Sequence, residues 1–411
     1  MSNSLRLLLA LVVLGLAGAS PGSAQQPPGG PAAEVRAFLA RHWRTPIPPQ
    51  GSPPARLSSF EASLHPVQCG TCHPAQLADW RTSHHARAMG PGVAGQLVEM
   101  VEQDPESARQ CASCHAPLHE QQEKISDGLG GYRANPTFDA TLRAGGLVCA
   151  ACHVRGHERF GPPKRDGSLA SDLPREKLPH NGVTRTPAFL RAEFCQGCHQ
   201  FPEDGFALNG KLLENTYNEW KASRFAREGT QCQDCHMPDR RHLWRGIHDP
   251  DMVRSGLTIA LRTDRDRYRP GETVTATLTV TNTGVGHYFP TYVTPRVVAR
   301  VELRDAQGQT VPGSVEEQVI AREVTLDLSR ELRDTRVAPG QSFVLRYRRP
   351  LKVPGARLRA VLTVYPDHFY MGFFESVLTQ GAGRGTAQPR EALAATRRSA
   401  FMVYEEQRPL S

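Results

Sequence analysis

The chain is 411 residues long, enough for two or three domains, and carries a formal charge of +8 with ten cysteines and 22% charged residues. Its basic residues are spread, with local clusters such as Arg240-Arg241 and Arg346-Tyr347-Arg348-Arg349. That pattern fits a solvated face or a weak field steering an acidic partner, and nothing in it points to nucleic acid.

Residues 1–24 (MSNSLRLLLALVVLGLAGASPGSA) read as a secretory signal peptide: Arg6 in a short n-region, an apolar run from about Leu7 to Leu16, and small residues before Gln25. The run is too short to span a bilayer and no later segment reads as a transmembrane helix, so the expected location is periplasmic, or extracellular. No cysteine lies near the cleavage point, so a lipid anchor is not indicated. Residues 25–54, rich in proline and glycine (QQPPGGPAA, PIPPQGSPP), read as a linker with little core around a helical stretch at Glu34–Arg44.

Residues 55–256 hold all ten cysteines, as Cys69/Cys72, Cys111/Cys114, Cys149/Cys152, Cys195/Cys198 and Cys232/Cys235. Each pair is followed at once by a histidine: His73, His115, His153, His199 and His236. A disulfide framework would not require those histidines, and zinc sites or redox pairs would not repeat that way five times. C-x-x-C-H is the attachment signature of c-type haem: two thiols three residues apart reach the vinyl groups of one porphyrin, and the next side chain falls under the iron as proximal ligand. Five covalent haem c groups are predicted. Roughly forty residues per porphyrin cannot build an apolar core around each. The expected architecture is therefore a multihaem cytochrome c domain of short helices and loops, with porphyrin faces supplying much of the buried apolar surface.

From Leu257 the period changes. LTIALRT, TVTATLTVTN, RVVARVELRD, QSFVLRYRRP and RLRAVLTVY alternate apolar and polar residues, separated by turn sequences such as Tyr268-Arg269-Pro270-Gly271 and Ala338-Pro339-Gly340. Residues 257–405 are predicted to form an all-β immunoglobulin-like sandwich without a disulfide, either a binding module or a structural cap on the haem domain.

A low-spin electron-transfer haem needs a second axial ligand, and eleven of the sixteen histidines lie outside the motifs. Six are candidate distal ligands. His85, favoured over His84, lies in DWRTSHHARAM after the first motif. His157 is too close behind the third motif to serve its own haem and would serve a neighbour; His180 lies in LPHNGVTRTP. His242 and His248 follow the fifth motif, and His287 lies in GVGHYFPTYVTP, where its binding iron would dock the β domain on the haem domain. His42, His65, His119 and His368 read as surface or structural residues, and Met89 and Met237 as core.

With these residues assembled, the chain resembles a family of secreted multihaem cytochromes c related to the tetrahaem electron carrier that accepts electrons from hydroxylamine oxidoreductase. The resemblance rests on CGTCHPAQLADWRTSHHARAM, on CHAPL, FCQGCHQF and CHMPDRRHLWRGIHDP, and on GHYFPT, and it implies distal roles for His85, His242 and His287. The chain departs from that carrier in having five motifs rather than four. It also lacks the C-x-x-C-K site of the ammonia-forming nitrite reductase, which it matches in haem number alone.

The first expectation is an electron carrier between redox partner proteins, with no catalytic residues. The alternative is a multihaem oxidoreductase with one open haem acting on a small nitrogen or sulfur compound, its pocket drawn from Arg240–Arg245, Tyr288 and Tyr292. A third reading is a subunit of an extracellular cytochrome assembly.

Overall fold

The computed structural model describes residues 31–381 and 383–410; the signal sequence at residues 1–24 lies outside them. Five short helices, Pro66–Cys72, Pro105–His115, Cys149–His153, Gln196–His199 and Cys232–His236, carry the motifs. On one helical turn, residues three and four apart share a face, so both thiols and the following histidine of a motif project together. Pro66 and Pro105 sit at the start of their helices, where a missing N–H leaves no bond unmade.

Cores in this region are small. One gathers Ile47, Leu118, Leu142, Leu147, Val148, Ala150, Ala151 and Val154, another Met89, Leu97, Val101, Ala108 and Ala116, and a third Ala192, Tyr217 and Trp220. Residues 31–50 pack here rather than link. Helix Pro31–His42 buries Val35, Ile47 joins the first core, and His42 stacks on Phe38 with its Nε2 2.8 Å from Cys152 O. The linker expectation for residues 25–54 weighed proline and glycine content. What holds the segment is its aromatic set, with His42 and Trp43 seated against Phe189 and Phe194.

Helix Pro250–Gly256 runs straight into the first of nine strands: β1 Leu257–Thr263, β2 Thr273–Asn282, β3 Arg296–Arg304, β4 Glu316–Ile320, β5 Arg322–Val324, β6 Glu331–Asp334, β7 Ser342–Pro350, β8 Arg357–Tyr365 and β9 Phe401–Pro409. Two antiparallel sheets, β7-β2-β1 and β4-β3-β8-β9, share one core, and β5 pairs with β6. Alternate residues point inward as the pleat requires: Val274, Ala276, Leu278 and Val280 from β2, and Val297, Ala299, Val301 and Leu303 from β3.

Between β8 and β9 the chain leaves the sheets for a helical hairpin, His368–Gln380 and Ala387–Thr396. It packs on helix Pro91–Gln103 of the haem-motif region through glycines. A Cβ at Gly92 would stand 2.6 Å from Phe374 Cζ, and one at Gly95 2.7 Å from Pro389 Cδ, so both positions allow a helix approach that alanine would block.

Buried charge fastens the two regions together. Arg322, 1% exposed, donates to the carbonyls of Leu208, Lys211 and Leu212 and pairs with Glu331. Arg336 Nη1 reaches Glu219 Oε1 at 3.0 Å, and its other nitrogens grip Asp334.

Candidate haem sites and their histidines

Which ring nitrogen a histidine commits to the protein decides whether it can take iron. Four motif histidines put Nδ1 on an acceptor: His115 on Ala88 O, His153 on Phe160 O, His236 on Arg245 O and His199 on the Tyr292 hydroxyl. His180, His242 and His287 do the same, on Gly182 O, Arg240 O and Tyr288 O. All seven keep Nε2 free, and the Nδ1 bond fixes ring and tautomer as it does for metal-bound histidines.

Three motif histidines face a second imidazole. Ring centroids are 6.3 Å apart for His236 and His287, with planes 9° apart; 6.2 Å for His153 and His242; and 6.4 Å for His85 and His199. Metal–imidazole bonds of roughly 2 Å on both sides of one ion put centroids roughly 6 Å apart. The donor set therefore fits iron held between two histidines at the third, fourth and fifth motifs. Burial holds these rings neutral, the form that binds metal. His85 is lowered to about 3, and His153, His199 and His287 to about 4, chiefly by desolvation, with His236 and His242 moved the same way.

The loops that carry His180 and His242 are tightly wound. Asp79, on helix Pro74–Arg81, grips Arg241 through two bonds of 2.7 and 2.6 Å and accepts from His242 N, and Asp239, Arg240 and Trp244 beside it have positive φ. His180 itself sits at φ 42°; burial lowers its pKa, and the charges of Arg159 and His73 add to that, so it lies in the field of the first motif. Such conformations cost of order 1–3 kcal/mol each and mark positions that the surroundings over-determine.

His157 and His248 differ from this pattern. His157 Nε2 is 3.0 Å from Gly51 O, and His248 Nε2 2.9 Å from Asp367 Oδ1, with the His248 ring 4.0 Å from that of His84. Neither presents Nε2 to a motif histidine. Both nitrogens are committed to acceptors that a sequence pattern cannot reveal. The residues expected to line an open-haem pocket are engaged within the protein. Arg241 is bound to Asp79, Tyr288 lies under Arg336, and Tyr292 stands behind His199 on the Nδ1 side.

The motifs form a connected set. The helices of the first and third motifs touch, as do those of the second and fourth. The thiols of Cys69 and Cys149, of Cys114 and Cys198, and of Cys195 and Cys232 are close enough to perturb one another, and Cys152 perturbs Cys195 and Cys198. The order of adjacency is 1–3–4–5, with 2 joined to 4. Exposed thiols occur only at the ends, Cys72, Cys111 and Cys235. Among the described residues no helix is long and apolar enough to cross a membrane.

The family model for cytochrome c554 and c-prime matches residues 68–130. Cytochrome c-554 of Nitrosomonas europaea is 25% identical over 143 residues, 32% of this chain, and the matched stretch spans about half (55%) of that relative's own length. A penta-heme cytochrome c552 from Thermochromatium tepidum superposes with a TM-score of 0.60 at 18% identity, over 86% of this chain and 100% of its own. That coverage exceeds the 256 residues before β1, so the shared fold extends into the strands. The motif region has a multihaem cytochrome c fold, and within it residues 68–130 are similar to the cytochrome c554 and c-prime family.

Proposed function

We propose that the protein is a periplasmic electron carrier that moves electrons through five covalent haem c groups, held by the five cysteine pairs with His73, His115, His153, His199 and His236 as proximal ligands. The distal ligands are His242 for the third site, His85 for the fourth, His287 for the fifth and His180 for the first. The observation that carries this reading is the set of three facing histidine pairs at 6.2–6.4 Å. When bound, the haems supply one-electron chemistry with both axial positions filled, which changes little on oxidation.

The chain's own residues fix spacing and exclude water. The third and fourth sites lie inside, while the first, second and fifth have exposed thiols where partner proteins would exchange electrons. Residues 55–256 are the pentahaem domain. Residues 257–405 are an immunoglobulin-like sandwich, a reading supported by two antiparallel sheets on one core, and they serve as a structural cap that donates His287.

A second reading is favoured by one observation. With His157 and His248 committed elsewhere, the candidate set supplies no histidine for His115. An open iron at the second site would make the protein an oxidoreductase on a small nitrogen or sulfur compound. Electron paramagnetic resonance of the oxidised protein, after a pyridine haemochrome assay has counted five haems, separates the two. Five low-spin haems support the carrier. One high-spin haem in five, shifted by added nitrite or hydroxylamine, supports the enzyme.

A further inference from the structure

Three of the four histidines assigned as distal ligands are tied to a carboxylate through a main-chain N–H, their own or that of the next residue. Asp79 Oδ2 accepts from His242 N at 3.0 Å, Glu61 Oε1 from His180 N at 2.8 Å, and Glu219 Oε2 from Tyr288 N, beside His287, at 3.1 Å. The main chain of the fourth, His85, has no carboxylate partner among the described residues, and its carbonyl accepts from Leu147 N at 3.0 Å. Each carboxylate comes from a helix, Pro74–Arg81, Ser59–Ala62 or Thr216–Lys221, so an irregular segment that carries a ligand is referred to a regular element.

Asp79 is the most fully engaged of the three. Its side chain is 7% exposed, and its oxygens also receive Arg241 Nε at 2.7 Å and Arg241 Nη2 at 2.6 Å. One carboxylate therefore fixes two consecutive residues, Arg241 and His242, while the bond from His242 Nδ1 to Arg240 O fixes the ring. The loop needs such a hold: Asp239, Arg240 and Trp244 all have positive φ, a conformation that persists in non-glycine residues where the surroundings impose it. Helix Pro74–Arg81 begins at the residue after His73, so the segment that follows the first motif reaches across to a ligand of the third site. Glu61 is arranged in the same way. Its Oε2 is tied to Ser58 in a capping box, which leaves Oε1 for His180, itself at φ 42°.

We propose that Asp79 is a positioning residue for the third haem and Glu61 for the first, each keeping a distal histidine on its iron through that histidine's main-chain N–H. The proposal rests on the reading that His242 and His180 ligate those irons. Neither carboxylate bonds an imidazole, so each acts by restricting the backbone from which the ring projects. A ligand held in this way returns to the metal without its loop having to be ordered again, and groups that orient a ligand from behind govern how firmly it grips.

The test is cyanide titration of the oxidised, full-length, haem-loaded protein, followed by electron paramagnetic resonance. In Asp79→Ala one haem beyond any that respond in the parent takes cyanide, with affinity raised by about ten- to a hundredfold. Asp79→Asn, which keeps an acceptor for His242 N but loses the ion pair, raises it by less, and it carries the test where Asp79→Ala fails to mature. Glu61→Ala does the same at a different haem. Adding Asp79→Ala to His242→Ala changes no haem further, whereas a merely structural role would add its own effect. Parent-like cyanide binding in the Asp79 variants or in Glu61→Ala overturns the proposal, as does a further change from Asp79→Ala in the His242→Ala background. His242→Ala and His180→Ala, measured alone, separate the two layers. If each makes one haem high-spin while the carboxylate variants bind cyanide as the parent does, the positioning role alone fails; if both leave every haem as in the parent, the ligand reading beneath it fails.

Discussion

Arg336→Met tests the claim that buried charge fastens the β domain to the haem-motif region. Arg336 is 3% exposed at its side chain and Glu219 5%. The guanidinium bonds Glu219 Oε1 at 3.0 Å, Thr291 O at 2.8 Å and both oxygens of Asp334 at 2.9 Å. In the variant Asp334 keeps Lys211 at 2.6 Å, but Glu219 keeps only two neutral donors, Tyr288 N and the Thr291 hydroxyl. A buried carboxylate stripped of its cation costs about 3–5 kcal/mol. For a unit of this size each kcal/mol is worth roughly 2–4 °C, so the melting temperature of the haem-loaded protein should fall by about 6–20 °C. The pH dependence has a fixed sign. Burial already pushes the Glu219 carboxyl up, against the pull of Arg336, and without Arg336 it rises further. The folded state then binds a proton that the unfolded state releases, so the deficit is full above the folded value and shrinks as pH falls toward the ordinary carboxylate range. Calorimetry at pH 8 and pH 5 reads both effects, and Glu219→Gln added to Arg336→Met should recover part of the loss. A variant melting within 2 °C of the parent at both pH values would refute the reasoning.

Spin state distinguishes the histidines. His85→Ala, His242→Ala and His287→Ala should each convert one haem in five from low to high spin in electron paramagnetic resonance, whereas His157→Ala and His248→Ala should convert none; a high-spin signal from either of the last two would restore them as ligands. Glu214 gives a pH signature. Its carboxyl is pushed up to about 8, first by burial and then by the charges of Cys114 and Glu219, and one oxygen has no partner. The Cys114 contribution disappears once that sulfur is a thioether, but burial stays. An electron arriving at the neighbouring second or fourth site raises this carboxyl further and draws in a proton. One midpoint should therefore fall with rising pH near neutrality, by no more than about 59 mV per unit, and Glu214→Gln should flatten that slope. Potentials independent of pH from 6 to 9 in the parent would remove Glu214 from the redox chemistry.

What was legible in the sequence is what a few neighbouring residues determine. Each C-x-x-C-H is one helical turn, so spacing alone places two thiols and a histidine on one face, and the alternation in β2 and β3 follows directly from the pleat. The second ligand depends on contacts distant along the chain. His85 meets His199, and His157 is turned aside by a carbonyl of Gly51 that no local pattern announces. The hairpin His368–Gln380 and Ala387–Thr396 was hidden for a related reason. Its aromatic run HFYMGFFESVLTQ makes sense only against helix Pro91–Gln103, nearly three hundred residues earlier, where Gly92 and Gly95 leave room for it.

The loop between β2 and β3 shows why a haem protein with so little apolar core of its own carries a β domain. Roughly forty residues per porphyrin leave the motif helices at four to eleven residues, too short to be stable alone. A ligand on such a segment would be no better fixed than the segment. Residues 285–292 instead start from the end of β2, a strand whose inward face is fully buried. They are pinned by Asn282, whose amide donates to His287 O at 2.9 Å, and by the Val285 N bond to Asn282 Oδ1 at 3.0 Å. That one loop then presents His287 to the fifth site and Tyr292 to the fourth, five residues apart. The rigidity that places both side chains is borrowed from the sheet, and weakening the domain interface at Arg336 should therefore loosen the fourth and fifth sites before it disturbs the first, which has no such contact with β2.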